Sequence, residues 1–194
     1  QHRALFDFNF DISQLKRDTF KLQRNIFKFD VGYGFNNDDW KALGKIGLAV
    51  DGKKVYPIAE TYVEKRFYQH ALIAYIGYSY SFRKNSLNTL IHTNNFIYDT
   101  VAILNTRVGD LGTGIKGTIG SFNYNIAFHL NHINNLPLYV NDSADMRRFR
   151  IVYDDKVKIY NIHFELGYNA KEWLRLSVLG DYNNYLMNNE ARAW

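Results

Sequence analysis

The chain has 194 residues, two prolines, no cysteine, 16% aromatic residues and a formal net charge of +5. Without a thiol there is no disulfide framework, no Cys-ligated zinc and no thiol catalysis. No run of about 18 apolar residues occurs, so a transmembrane helix is excluded, and Lys and Arg are too dispersed to form a nucleic-acid footprint.

In chain order, the sequence reads as a succession of strands. Arg3 to Ser13 alternates strictly: Ala4, Phe6, Phe8, Phe10 and Ile12 share one parity, and Asp7, Asn9, Asp11 and Ser13 the other. That is period two, the signature of a strand with two unlike faces. Polar residues from Gln14 to Thr19 predict a turn. In the next strand Phe27, Phe29, Val31, Tyr33 and Phe35 oppose Lys28, Asp30, Gly32 and Gly34, and Asn36-Asn37-Asp38-Asp39 ends it as an Asx-rich turn.

Trp40 to Val50 is a third strand with weaker alternation, closed by the hairpin signal Asp51-Gly52. Val55 to Phe67 is a fourth, with Pro57 where an edge or the first residues of a strand tolerate it. After a reversal at Tyr68-Gln69-His70, Leu72, Ala74, Ile76, Tyr78, Tyr80 and Phe82 form one parity of a fifth. Leu87 to Leu104 fits either an interrupted strand or a strand and a loop. Val108 to Ile119 resumes with small residues, turns near Gly120-Ser121, and returns as a strand with Tyr124, Ile126, Phe128 and Leu130 on one parity. Ile133 to Met146 reads as the longest irregular segment, a projecting loop.

Lys158 to Tyr185 is the best-formed unit. Tyr160, Ile162, Phe164, Leu166 and Tyr168 make the apolar parity of its first arm, and Leu174, Leu176, Val178 and Tyr182 continue that face in the second. Tyr160 and Tyr168 stand about 26 Å apart along a strand, or about 20 Å after a tilt near 40 degrees. This approaches the apolar band of an outer-membrane barrel with its aromatic girdles. One face of a soluble sandwich alternates in the same way, so length decides: ten or eleven strands, many of ten or more residues, exceed the usual five or six. The mean hydropathy of −0.35 is no objection, because alternation hides the apolar face.

The expected fold is therefore all-β: an antiparallel up-and-down transmembrane barrel, one domain or barrel segment over 1–194. Phe6, Phe8, Phe29, Val31, Ile76, Tyr78, Phe128, Tyr160, Phe164, Leu166 and Tyr168 are its expected lipid-facing residues. Asp7, Asp11, Lys28, Asp30, His129, His163, Glu165, Arg175 and Asp181 are its expected lumen-facing ones, since so many charges cannot be buried dry.

The chemistry-bearing patterns are weak. His129 and His132 have opposite strand parity, so no metal site is expected. His163, Glu165, Ser177 and Asp181 share a parity from which a hydrolase could be imagined, but a wet barrel wall holds such residues by default, and no enzyme activity or cofactor is expected. The glycines of VGDLGTGIKGTIG match no phosphate loop. Gly32, Gly34, Gly112 and Gly114, all on the polar parity, would let a sheet curve or leave room inside.

The strand pattern, above all FRIVYDDKVKIYNIHFELGYNAKEWLRLSVLGDYNNYLMNNEARAW from Phe149 to Trp194, resembles the barrel of TonB-dependent receptors. The resemblance implies a tilted barrel in the outer membrane of a gram-negative bacterium, receptor- or porin-like, engaged in passage of a solute. Its expected partners are membrane lipid, further barrel strands and other envelope proteins, with no nucleic acid. A structural subunit of an envelope complex and a soluble β-sandwich or barrel binding module stand as alternatives. No plug is recognisable, the length suffices for half such a barrel, and Glu190 and Arg192 share the parity of Trp194. An incomplete barrel, closed by additional strands, is therefore the expectation.

Overall fold

The computed structural model describes residues 1–17, 20–68, 71–86, 90, 92–94, 96, 103–142, 147–171 and 173–187. Nine strands form one antiparallel sheet: β1 (His2–Arg17), β2 (Phe20–Asn36), β3 (Trp40–Asp51), β4 (Lys54–Phe67), β5 (Leu72–Arg83), β6 (Thr106–Ile119), β7 (Phe122–Asn134), β10 (Val157–Lys171) and β11 (Leu174–Leu186). Two more, β8 (Leu136–Asn141) and β9 (Phe149–Asp154), pair only with each other. The sheet is an up-and-down meander. Among the described residues β1 and β11 are its open edges, with no ladder between them.

Register explains the two faces. Phe8 lies opposite Phe29, Phe29 opposite Leu48, Val63 opposite Ile76, Ile76 opposite Thr113, Thr113 opposite Phe128, Phe128 opposite Ile162, and Ile162 opposite Tyr182. Cross-strand partners share a face, so the apolar parities of all nine strands fuse into one surface. A one-residue slip anywhere would invert the neighbouring strand.

The two ends differ. Connections after β2, β4, β6 and β10 are two to four residues long and lie together at one end. At the other, β5 to β6 takes 22 residues and β7 to β10 another 22, the latter including the β8–β9 hairpin. The long connections are tied down: Asn85 Nδ2 donates to Leu104 O and Thr106 Oγ1, both at 2.8 Å, Asn105 Nδ2 donates to Asp51 Oδ2 at 2.6 Å, and Tyr139 OH donates to Leu90 O at 3.3 Å. Beneath them Ile26, Ala49 and Phe82 form a small buried cluster with Tyr56 and Ile58 against it.

Several boundaries differ from the sequence reading. Gln14 to Arg17 continue β1 and do not turn; Asp18 and Thr19 lie outside the described residues. The projecting loop from Ile133 holds a paired strand, β8, because its partner β9 supplies the ladder. Phe82 departs from the parity of its strand, its ring lying 4.6 Å from that of Tyr56 within the buried cluster. Pro57 is tolerated because the β4–β5 ladder begins beyond it, at Ala59 opposite Tyr80. The expectations about Glu190, Arg192 and Trp194, and much of Leu87 to Leu104, fall outside the described residues.

The glycines of the polar parity provide space. A Cβ on Gly114 would meet Ile126 O at 2.5 Å and Tyr75 Oη at 2.6 Å, and one on Gly112 the His129 ring at 2.8 Å, whereas Gly44, on the apolar parity, has nothing within 4 Å. Gly114→Val is expected to destabilise the fold by about 1–3 kcal/mol through overpacking, and Gly44→Ala to be near neutral, as read from denaturant midpoints in micelles.

Candidate functional site

The polar parity carries the only dense chemistry among the described residues. Its centre is Glu64 on β4, which is 4% exposed. Alternation brings Tyr62, Glu64 and Arg66 to one face, and the β5 and β6 ladders place Lys116 across from them. Tyr62 OH donates to Glu64 Oε2 at 2.7 Å, Arg66 Nε donates to Oε1 at 3.0 Å, and Lys116 Nζ lies 3.1 Å from Oε2. Arg66 also donates to Asn37 O at 2.8 Å and Asn36 Oδ1 at 3.2 Å, pinning the β2–β3 turn to the cluster. The carboxylate is thereby satisfied on both oxygens, as a buried charge requires. One acid beside two cations leaves a local excess of positive charge, and the Lys41 ammonium, 5.6 Å from the Tyr62 ring centre, adds to it.

Beside this cluster a cleft of about 380 Å³ opens, lined by Lys41, Glu60, Tyr62, Tyr75, Asp110 and His129 among others. Lys45 Nζ pairs with Glu60 at 3.0 Å, and His129 Nδ1 lies 3.2 Å from Asp110. Such a wall of paired charges and phenols can hold polar solutes by hydrogen bonds while keeping water.

The ladders place the two sets of site residues named from the sequence on opposite sides of the sheet. His163 meets Asp181 at 2.8 Å, Arg175 meets Glu165 at 3.6 Å, and Asp11 meets Lys84 at 2.6 Å. Lys28 Nζ donates to Phe82 O at 3.4 Å. Asp7 stands opposite Asp30. The structure does not unite these residues: Asp7, Asp11, Lys28 and Asp30 lie on β1 and β2, His163, Glu165, Arg175 and Asp181 on β10 and β11, with five strands between. Ser177 lies opposite Gly167, four residues from His163 or about 13 Å along the strand, so the imagined triad does not assemble. No group of three or more metal-ligating side chains occurs among the described residues.

Glu60, Glu64, Arg66 and Lys45 were missed as site residues. Tyr56, Ile58 and Tyr62 interleave with them on the polar parity, blurring the contrast in VYPIAETYVEKRF. The usable signal was cross-strand: Lys116 and Glu64 have matching parity once the register is known.

The fold is that of the TonB-dependent receptor barrels, in part. The siderophore receptor PirA from Pseudomonas aeruginosa superposes with a TM-score of 0.76 at 10% identity, over 95% of this chain and 37% of that one. The FrpB iron transporter from Neisseria meningitidis matches with a TM-score of 0.60 at 11% identity, over 94% and 28%. The alcaligin outer-membrane receptor FauA from Bordetella pertussis gives 0.51 at 10%, over 96% and 38%. The chain thus spans about a third of the length of these structures. No family model and no curated protein matches its sequence.

Because Glu64 is buried between two cations, Glu64→Gln is expected to destabilise the sheet by about 3 kcal/mol, and adding Lys116→Met to recover part of that loss. Denaturant unfolding of the single and double variants checks this.

Proposed function

We propose that this chain is part of an outer-membrane barrel of receptor or porin type that passes a polar solute along its charged face. The single observation carrying the reading is the pairing of one continuous apolar face, where Phe6, Phe8, Ile76 and Phe164 are exposed, with an opposite face of charge pairs around Glu64. In water the first face would be a large unprotected patch. In a bilayer it is the lipid-facing wall, and the second face lines the lumen.

Both edges support an incomplete ring. Each unpaired backbone group at membrane depth costs several kcal/mol, and among the described residues β1 and β11 do not pair with each other. Further strands beside these two edges would satisfy both ladders. The inequality of the ends sets orientation: short turns belong to the periplasmic side and long connections to the outside. The neighbours' printed cargoes, a siderophore, copper, iron and alcaligin, support a small solute of a metal-uptake kind without singling out one of them.

Two measurements bear on this. The protein is expected to partition into detergent micelles and vesicles and, with its closing strands, to give unitary conductance in planar bilayers; a water-soluble, non-conducting protein would refute it. Phe164→Lys, near mid-strand on the apolar face, is expected to weaken insertion by about 2–4 kcal/mol, whereas Asn161→Lys on the other face is expected to insert normally.

A further inference from the structure

A shallow groove of about 620 Å³ crosses the apolar face. It has Ala74 and Thr113 in its floor, Ile76 and Phe128 in its wall, and Trp40 and Lys65 at one end. Register explains the depression. Ala74 lies between Lys65 and Ile115, and Thr113 between Ile76 and Phe128, so two short side chains on adjacent strands sit among long ones. The groove runs across the strands from β3 to β10, five inter-strand steps of about 4.8 Å, or about 24 Å in all. It is long and narrow, the shape of an extended hydrocarbon chain.

Its end is chemically unlike its length. The Lys65 ammonium lies 4.9 Å from the Trp40 ring centre and 5.0 Å from that of Phe67, and forms no ion pair with a described residue. Aromatic faces attract a cation but do not neutralise it. Lys65 is two residues from the end of β4, at the end of the sheet with the short connections, where an amphipathic side chain meets the lipid headgroups. Charge complementarity therefore asks for an anion there, and the groove for an acyl chain attached to it.

Resting on the membrane reading above, we infer that this groove is a binding site for one anionic glycerophospholipid of the leaflet at the short-turn end, its phosphate against Lys65 and one acyl chain over Ala74 and Thr113. Trp40 makes the site testable. In the full protein with every tryptophan other than Trp40 replaced by Phe, Trp173 and Trp194 among them, reconstituted in phosphatidylcholine vesicles, brominated phosphatidylglycerol is expected to quench Trp40 at about fivefold lower mole fraction than brominated phosphatidylcholine. Lys65→Glu is expected to erase that preference. Ala74→Phe, which fills the floor and leaves the charge, is expected to weaken quenching by both lipids while insertion is kept. Equal quenching by the two lipids, or a preference that survives Lys65→Glu, overturns the site while leaving the membrane reading intact. A Trp40 that neither lipid quenches overturns the membrane reading, and the lipid site falls with it.

Discussion

The ladder of cross-strand register is the constraint on which everything else rests. Side chains alternate with a period of two, so a nine-stranded meander has coherent faces only if every pair is in phase. The observed pairs keep phase from Phe8 on β1 to Tyr182 on β11. The same ladder satisfies the backbone, which is why the pattern needs so few buried side chains: among the described residues Ile26, Ala49, Phe82 and a handful of others make up the apolar interior. In a bilayer, hydrogen-bonded pairing and an apolar surround, not a dry core, would hold such a sheet together.

The polar face then has to solve the problem created by that pairing. Charges at every second position would repel or strand one another, and Asp7 opposite Asp30 shows the hazard. Elsewhere the face resolves into local pairs: Lys45 with Glu60, Asp110 with His129, Glu165 with Arg175. Glycine makes these fits possible. Gly112 leaves room for the His129 ring, and Gly114 for the Tyr75 phenol, so the wall is a packed polar layer and not a fringe of free side chains.

How much of this was legible follows from where the information lies. Strand existence and face were readable wherever one parity is uniformly apolar, as from Ala4 to Ile12 or Tyr160 to Tyr168, because alternation is a local property. The β8 arm of its hairpin was not, because Leu136-Pro137-Leu138-Tyr139 lacks alternation and becomes a strand through a partner ten or more residues away. The Glu64 cluster was hidden for a related reason. Its members lie on β4 and β6, which flank β5 and share no ladder, and sequence carries no sign of which intervening strand sets their spacing. Parity identifies a face; register identifies a neighbour.

That distinction also separates the two candidate regions on the molecule. The charged cluster is closed upon itself, since Glu64 accepts from Tyr62 and Arg66 and pairs with Lys116, so only the cations and phenols at its margin are left to meet anything else. Lys65 is the reverse case. It occupies the neighbouring position on the same strand, yet alternation turns it to the apolar face, where two rings and, among the described residues, no carboxylate meet it. Consecutive residues of β4 are thus committed to different surroundings: Glu64 to an internal network that fixes the wall, and Lys65 to whatever anion the surrounding phase supplies. In a bilayer that phase is lipid, and the headgroup is the nearest source of negative charge.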